Sequence, residues 1–217
     1  GEVIRRIDGG GRSFRQILQE DLFTPLSMRH TAIGMQPDLE PYRVPIKAIR
    51  PEDGLLPAFL YDILEHAYSN GGEIPSGSGY GTAYDLFRFA EMLRCGGALE
   101  GAPLLSSAMV KLALSDLTGE MPNEIWNYAR LTKGWPTWPA HLGLGYWLRG
   151  TGLHPTLHGQ MASPGSFGNS GAGSTTYWCD PQTGLVFVCL TAGLIEDHES
   201  YLRWQKLADL VHSAVIE

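Results

Sequence analysis

The chain has 217 residues, 43% of them hydrophobic, enough for one sizeable core or one core with a satellite lobe. Lys and Arg total 16 against 23 Asp and Glu, a net charge of -7, and apart from the Arg5-Arg6 pair the basic residues are scattered. This balance argues against nucleic acid and anionic membrane surfaces as partners, and the longest near-apolar run, Leu185 to Ile195, is too short to span a bilayer. The 3 cysteines, Cys95, Cys179 and Cys189, form no C-x-x-C pair and are expected as free thiols, which leans toward a reducing, cytoplasmic compartment. Glycine, at 27 residues, clusters at 9–11, 71–81, 96–101 and 165–173, where the chain has to turn tightly.

The chain opens on Gly1-Glu2-Val3-Ile4-Arg5-Arg6-Ile7, where Val3, Ile4 and Ile7 have helical spacing but no capping residue precedes them. It reads as the back half of a helix, so the expectation is a processed or cleaved piece whose partner chain carries the preceding sequence. Beyond Asp8-Gly9-Gly10-Gly11, Ser13 can cap a second helix with Phe14, Ile17, Leu18 and Leu22 on one face, stopped by Pro25. From Met28 to Leu60 the pattern is irregular, and residues 59–67 suit a short helix. Thr82 can cap the next helix, with Asp85 as a weak capping-box partner and Ala83, Leu86, Phe87, Ala90 and Leu93 as its apolar stripe. Gly96-Gly97 closes it, and Ser106 starts another, with Leu105 and Val110 placed as a hydrophobic staple. Residues 115–140 read as a long loop with Trp126, Trp135 and Trp138, expected as a lid or pocket wall.

After His141 the period changes from helical to alternating. Leu144, Tyr146 and Leu148 predict a strand with one face buried, and residues 174–191 predict a hairpin turning at Asp180-Pro181-Gln182-Thr183-Gly184. Ser200 to Ile216 predicts a closing helix with Trp204, Leu207, Val211, Ala214 and Val215 on one side. Just ahead of the hairpin stands Phe167-Gly168-Asn169-Ser170-Gly171-Ala172-Gly173-Ser174, whose small residues let something approach the backbone closely.

Several constellations invite chemistry. Gly168-x-Ser170-x-Ala172 approaches a nucleophile elbow, with Asp180, Asp197, His198 and His212 following in the order α/β-hydrolases use, but the run after Ser170 reads as strand where an elbow needs a helix. Tyr68-Ser69-Asn70 resembles a Tyr-x-Asn element. Its companion is missing, because Val44, Ala108, Arg130 and Arg203 stand three residues before the only lysines, so no Ser-x-x-Lys exists here and Tyr68 reads as a loop residue. His154 and His158 are four apart, yet Pro155 between them opposes the helix that would align two metal ligands. No metal site, phosphate loop or cofactor is expected.

Three segments carry a resemblance. Phe23-Thr24-Pro25-Leu26-Ser27-Met28 resembles the Pro-Leu-Gly-Met turn, and Gly81 to Ala90 the helix motif small-Thr-Ala-x-Asp-Leu-x-Arg-Phe, of the β-lactamase-related serine hydrolases: class C β-lactamases, penicillin-binding proteins and family VIII-type esterases. Asn169-Ser170-Gly171-Ala172 lies where that family has Lys-Thr-Gly or His-Gly-Gly, ahead of the same Asp-Pro-x-x-Gly hairpin. The resemblance implies an α/β fold of the α+β type, with an antiparallel sheet flanked by helices and a mostly helical lobe. Residues 1–140 would be the mostly helical part of the catalytic domain, and 141–217 its antiparallel strands and closing helix. It further implies that the Ser-x-x-Lys nucleophile and the catalytic Tyr lie on an upstream piece, here a second chain.

In this resemblance Ser170 stands for the Thr or Ser of the third motif and the backbone N–H of Ala172 for an oxyanion donor, with Asn169, Gly171 and Gly173 facing the substrate. Asn169 departs from the family's Lys or His, which puts β-lactam and peptide hydrolysis in doubt and favours a small-molecule ester or amide. The alternatives are an inactive relative acting as a binding module and an α/β-hydrolase with Ser170 as nucleophile.

Overall fold

The structure, a computed structural model, describes residues 1–48, 58–171, 174–195 and 197–215. Helix α1 is Glu2–Ile7, and its Val3 and Ile7 are exposed. Ser13 caps α2, Phe14–Leu18, in a reciprocal capping box with Gln16, and a wider π turn continues the helix through Phe23. The Pro25 turn ends it. Ser27 there sits at φ 54, the left-handed region that glycine fills at no cost, which is the physical reason a Gly suits this place.

Short strands β1 (Ala32–Ile33) and β2 (Lys47–Ala48) follow. Helix α3 is Ala58–Ser69, so Tyr68 belongs to its last turn rather than to a loop; its carbonyl accepts the N–H groups of Met35 and Gly71. Strand β3 (Gly79–Tyr80) pairs antiparallel with β1. In α4, Ala83–Arg94, the Thr82 cap holds, but Asp85 does not reach back as a capping-box partner. It is buried, and its Oδ2 accepts His30 N–H at 2.7 Å and the Thr31 hydroxyl at 2.8 Å. The buried stripe of α4 is correspondingly rotated from the expected one: Ala83 and Phe87 are exposed, and Asp85, Arg88, Ala90, Met92 and Leu93 face inward. Arg88 donates to the Leu26 carbonyl and pairs with Glu100 at 2.7 Å. These contacts bind α4 to the 26–31 turn, which explains why the two resembling segments occur together.

Gly96 and Gly97 end α4 with bonds to the carbonyls of Leu93 and Met92, the Schellman pattern. A small hairpin, β4 (Ala98–Leu99) and β5 (Ala102–Pro103), leads to α5 (Ser107–Ala113), capped by Ser106. Of the two expectations for the 115–140 stretch, the pocket wall is met, since Trp126 and Trp138 line a small cavity, and the free lid is not. The stretch contains a 3-10 turn at Glu124–Trp126 and helix α6 (Asn127–Lys133), and Trp126 and Trp138 are buried core residues.

The sheet comes last: β6 (Trp147–Leu148), β7 (Phe167–Gly171), β8 (Thr175–Asp180) and β9 (Leu185–Cys189), antiparallel in the order β6-β7-β8-β9. Its two-residue alternation serves two cores. Leu148, Phe167, Tyr177, Cys179, Val186 and Val188 pack with α2, the 23–33 segment and α4. Trp147, Trp178, Leu185 and Phe187 pack on the other side with Trp126, Trp138 and the last helix. Strand β10 (Gly193–Leu194) pairs parallel with β2, and α7 (Asp197–Ser213) covers the second face. Its buried residues include His198, Ser200, Tyr201, Trp204, Ala208 and His212, whereas Ala214 and Val215 lie beyond its end and are exposed. The mixed architecture of an antiparallel sheet flanked by helices is as the resemblance implies.

Candidate functional site

The strand expected from Leu144 to Leu148 is only two residues long, and its shortness shapes the site. β6 meets β7 at Trp147↔Gly168 and Leu148↔Phe167, after which the chain leaves in the turn 142–146. Among the described residues, the outer edge of β7 therefore has no strand beside it from Asn169 onward. Arg149 N–H donates to Ser166 O at 2.8 Å, so the backbone of Ser166 faces outward, and the alternation of an antiparallel ladder turns Gly168 and Ser170 the same way. Asn169 bridges this edge: its Oδ1 accepts the Ser170 N–H at 2.8 Å and its Nδ2 donates to Gly145 O at 2.9 Å.

The glycines of β7 differ in purpose. A Cβ on Gly168 would collide with the Tyr177 carbonyl and lie 2.8 Å from Trp178 Cα, so close packing against β8 requires this glycine. Among the described residues, a Cβ on Gly171 would meet only the Thr175 hydroxyl, at 3.1 Å, the movable end of a side chain. Ala172 and Gly173 lie outside the described residues. On their far side Ser174, at φ 60 and buried, fixes the end of the β7–β8 connection. Its Oγ accepts the Ile195 N–H at 3.1 Å and lies 3.2 Å from Ser200 Oγ, and its carbonyl accepts Thr191 Oγ1 at 2.6 Å and Arg203 Nη2 at 3.2 Å. Nothing in the sequence singles out Ser174, because its role depends on α7 and β10 arriving from later in the chain.

Thr175 joins this edge to a cleft of about 830 Å³ whose walls include Met28, Ile33, Tyr68, Tyr80 and Leu190. That volume is in the range of small-molecule sites, roughly 300–1,000 Å³. The cleft is mainly apolar, with Tyr68 from α3 closing against Gly77. Burial raises the phenol pKa of Tyr80, assisted by Glu65, so the wall carries a neutral hydroxyl rather than a phenolate.

Other candidates are committed elsewhere. Ser170 lies inside β7 and is followed by β8, so the strand-to-helix geometry of an elbow is absent and the α/β-hydrolase alternative is overturned. Asp180 accepts Ser163 N–H at 3.0 Å, Ser163 Oγ at 2.9 Å and Gln182 N–H at 3.0 Å; burial opposes its charge, but these bonds hold its carboxyl below the usual range. His198 packs on Trp126 and Trp135, and His212 stacks on Trp178 at 4.7 Å. His158 is buried with Nδ1 2.9 Å from Thr156 Oγ1, and burial drives its pKa down to about 3. Among the described residues no group of three or more His, Cys, Asp or Glu is placed to hold a metal, and no helix is long and apolar enough to cross a membrane. Cys95 is exposed, Cys179 buried and Cys189 between, all free.

Comparison with known proteins brings these features together. No curated protein sequence matches the chain significantly. Among solved structures, a penicillin-binding protein homologue from Caulobacter crescentus superposes with a TM-score of 0.68 at 22% identity, covering 99% of this chain and 56% of that one. A family VIII carboxylesterase gives 0.64 at 18%, covering 96% and 55%, and simvastatin synthase (LovD) from Aspergillus terreus 0.70 at 16%, covering 98% and 53%. At these identities the likeness is one of fold, and the chain spans little more than half the length of the structures it matches. The sequence profile described as Beta-lactamase matches residues 1–211. The chain belongs to the beta-lactamase family, a family of serine hydrolases.

Proposed function

We propose that this chain forms the substrate-facing edge and pocket walls of a serine hydrolase that cleaves small-molecule esters or amides through an acyl-enzyme. The observation that carries the reading is the open outer edge of β7 at Asn169–Gly171, joined through Thr175 to an apolar cleft. An extended strand edge that ends on a glycine, beyond the Asn169 bridge, lets a carbonyl carbon approach the backbone, and an apolar cleft beside it accepts an acyl group. The nucleophile comes from an upstream piece, because no Ser-x-x-Lys occurs in these 217 residues.

In the proposed reaction the upstream Ser Oγ attacks the substrate carbonyl, giving its proton to the upstream base. The backbone N–H of Ala172 stabilises the developing oxyanion, and the alcohol or amine leaves with that proton. Water then attacks the acyl-enzyme, releasing the acid. Asn169 supports ester over β-lactam chemistry. Its amide is engaged by Gly145 and Ser170, and it offers no cation to a substrate carboxylate. The test is a fluorophosphonate probe on the complete enzyme followed by peptide mapping. An adduct on an upstream Ser is expected, and one on Ser170 would overturn the assignment.

A further inference from the structure

Continuing the register of β6 against β7 would set Gly145 level with Ser170 and Leu144 level with Gly171. The chain folds back instead. Gly143 N–H donates to Tyr146 O at 2.9 Å and Gly145 N–H to Gly143 O at 3.0 Å, with Gly145 at φ 82. This turn is held from outside as well. Leu144 N–H donates to Ala113 O at the end of α5 at 2.8 Å, Leu117 N–H donates to Leu142 O at 2.9 Å, and Asn169 Nδ2 holds Gly145 O. Gly143 lies so close to the Ala113 carbonyl that a side chain there would collide with it.

With the backbone of the turn fixed, the Leu144 side chain remains 52% exposed, and the next residue, Gly145, is the one tied to the open edge by Asn169 Nδ2 at 2.9 Å. A lone exposed leucine is ordinary. This one differs in being held by a network that spends its polar groups on fixing the turn, one residue from the Gly145 carbonyl that Asn169 ties to the unpaired end of β7. The cleft that reaches Thr175 is lined by neither Leu144 nor any other residue of the turn. A carbonyl carbon held at this edge would therefore have two surfaces available to its two substituents, the cleft for one and Leu144 for the other.

We infer that Leu144 is a specificity-determining residue, forming the apolar wall for the leaving group, and that the preferred substrates are esters of apolar alcohols, aryl or medium-chain alkyl. The inference rests on the serine-hydrolase reading above. It assigns the acyl group to the cleft and the alkoxy group to the turn.

The experiment compares the complete enzyme with Leu144→Ser and Leu144→Met on two pairs of esters. One pair shares the acyl group and differs in alcohol, benzyl against methyl; the other shares methanol and differs in acyl length. For Leu144→Ser the benzyl-to-methyl ratio of kcat/KM should fall roughly fivefold or more, since removing apolar contact with one part of a substrate acts on discrimination at that part. Leu144→Met should keep the ratio, and the acyl-length preference should not move in either variant. Thermal melts establish that the variants are folded. An unchanged alcohol ratio sinks this inference alone, and so does a changed acyl-length preference, which would put Leu144 on the acyl side. No hydrolysis of any ester by the folded wild-type enzyme would sink the hydrolase reading, and this inference with it.

Discussion

The two ends of β7 are built from similar residues and treated differently. At Phe167–Gly168 the strand has β6 on one side and β8 on the other, Phe167 is buried in the first core, and Gly168 is pressed against the β8 backbone. At Asn169–Gly171 only β8 remains among the described residues, the burial falls away, and a Cβ on Gly171 would press on a movable hydroxyl, that of Thr175, rather than on main chain. A glycine at the first end is a packing requirement, and one at the second is not. Small residues where packing does not require them are available to a ligand, which is why the proposed function places the chemistry at the open end.

The sharpest way to break this comparison is Gly171→Val. A branched side chain at the open end should lower the complete enzyme's turnover by about 10²- to 10³-fold, the scale at which a reacting carbonyl is displaced or an oxyanion donor is lost. Stability should change by less than about 1 kcal/mol, as for a surface substitution away from packing constraints. Denaturant melts and ester kinetics on the same preparation separate the two effects. Loss of folding with Gly171→Val would erase the distinction between the ends.

Gly168→Ala should show the opposite pattern. Its added methyl meets the Tyr177 carbonyl and Trp178 Cα, main-chain atoms that cannot rotate aside, and overpacking of this kind costs about 1–3 kcal/mol. We expect a value near the top of that range, read as a drop in denaturation midpoint with an unchanged m-value. A neutral result would mean that β7 and β8 can separate more easily than their register suggests.

How much of this was legible in the sequence depends on the range of the forces involved. The Ser13, Thr82 and Ser106 caps, the Gly96-Gly97 stop and the 180–184 turn were readable because each acts within a few residues of itself. Ser27 was readable as a glycine-like position only through the resemblance, and the structure supplies the reason in its left-handed backbone. Asp85 looked like a local cap because its real partners, His30 and Thr31, are more than fifty residues away in sequence. The tryptophans of 115–140 could be read as a lid as readily as a pocket wall because their partner, α7, comes last in the chain. In the site, the small residues of 168–171 were visible, while the clamp at Ser174 and the folded-back turn at Leu144 were not, since both depend on strand register and on elements brought from elsewhere.

The paired end can also be probed through pH. His158 is buried beside β6, where the backbone of Trp147 contributes to its surroundings, and it stays neutral because burial lowers its pKa to about 3. In the unfolded chain a histidine takes up its proton near 6.5. Between these values the unfolded state binds the extra proton, so stability is complete above about 6.5 and falls as pH drops toward about 3. From pH 7 to pH 5 the loss from this one group should be about 2 kcal/mol. Urea midpoints across that range should drop less steeply for His158→Gln than for the wild type. Parallel slopes would show that His158 is not the proton-linked group.

The smallest expected effect falls on the residue that looks most like a nucleophile. Ser170 shares its sheet face with Thr176 and Trp178, its cross-strand neighbours, and its N–H is already accepted by Asn169 Oδ1. In the proposed reaction its hydroxyl is a supporting group at the open end and not the atom that is acylated. Ser170→Ala should reduce kcat/KM by less than about fivefold, under about 1 kcal/mol in transition-state terms, and should leave stability within about 0.5 kcal/mol. Measured beside Gly171→Val with the same ester, the alanine variant should retain at least ten times the activity of the valine variant, roughly the gap between a weakened contact and a blocked edge. Equal losses would mean that the hydroxyl, and not access to the backbone, is what the open end of β7 provides.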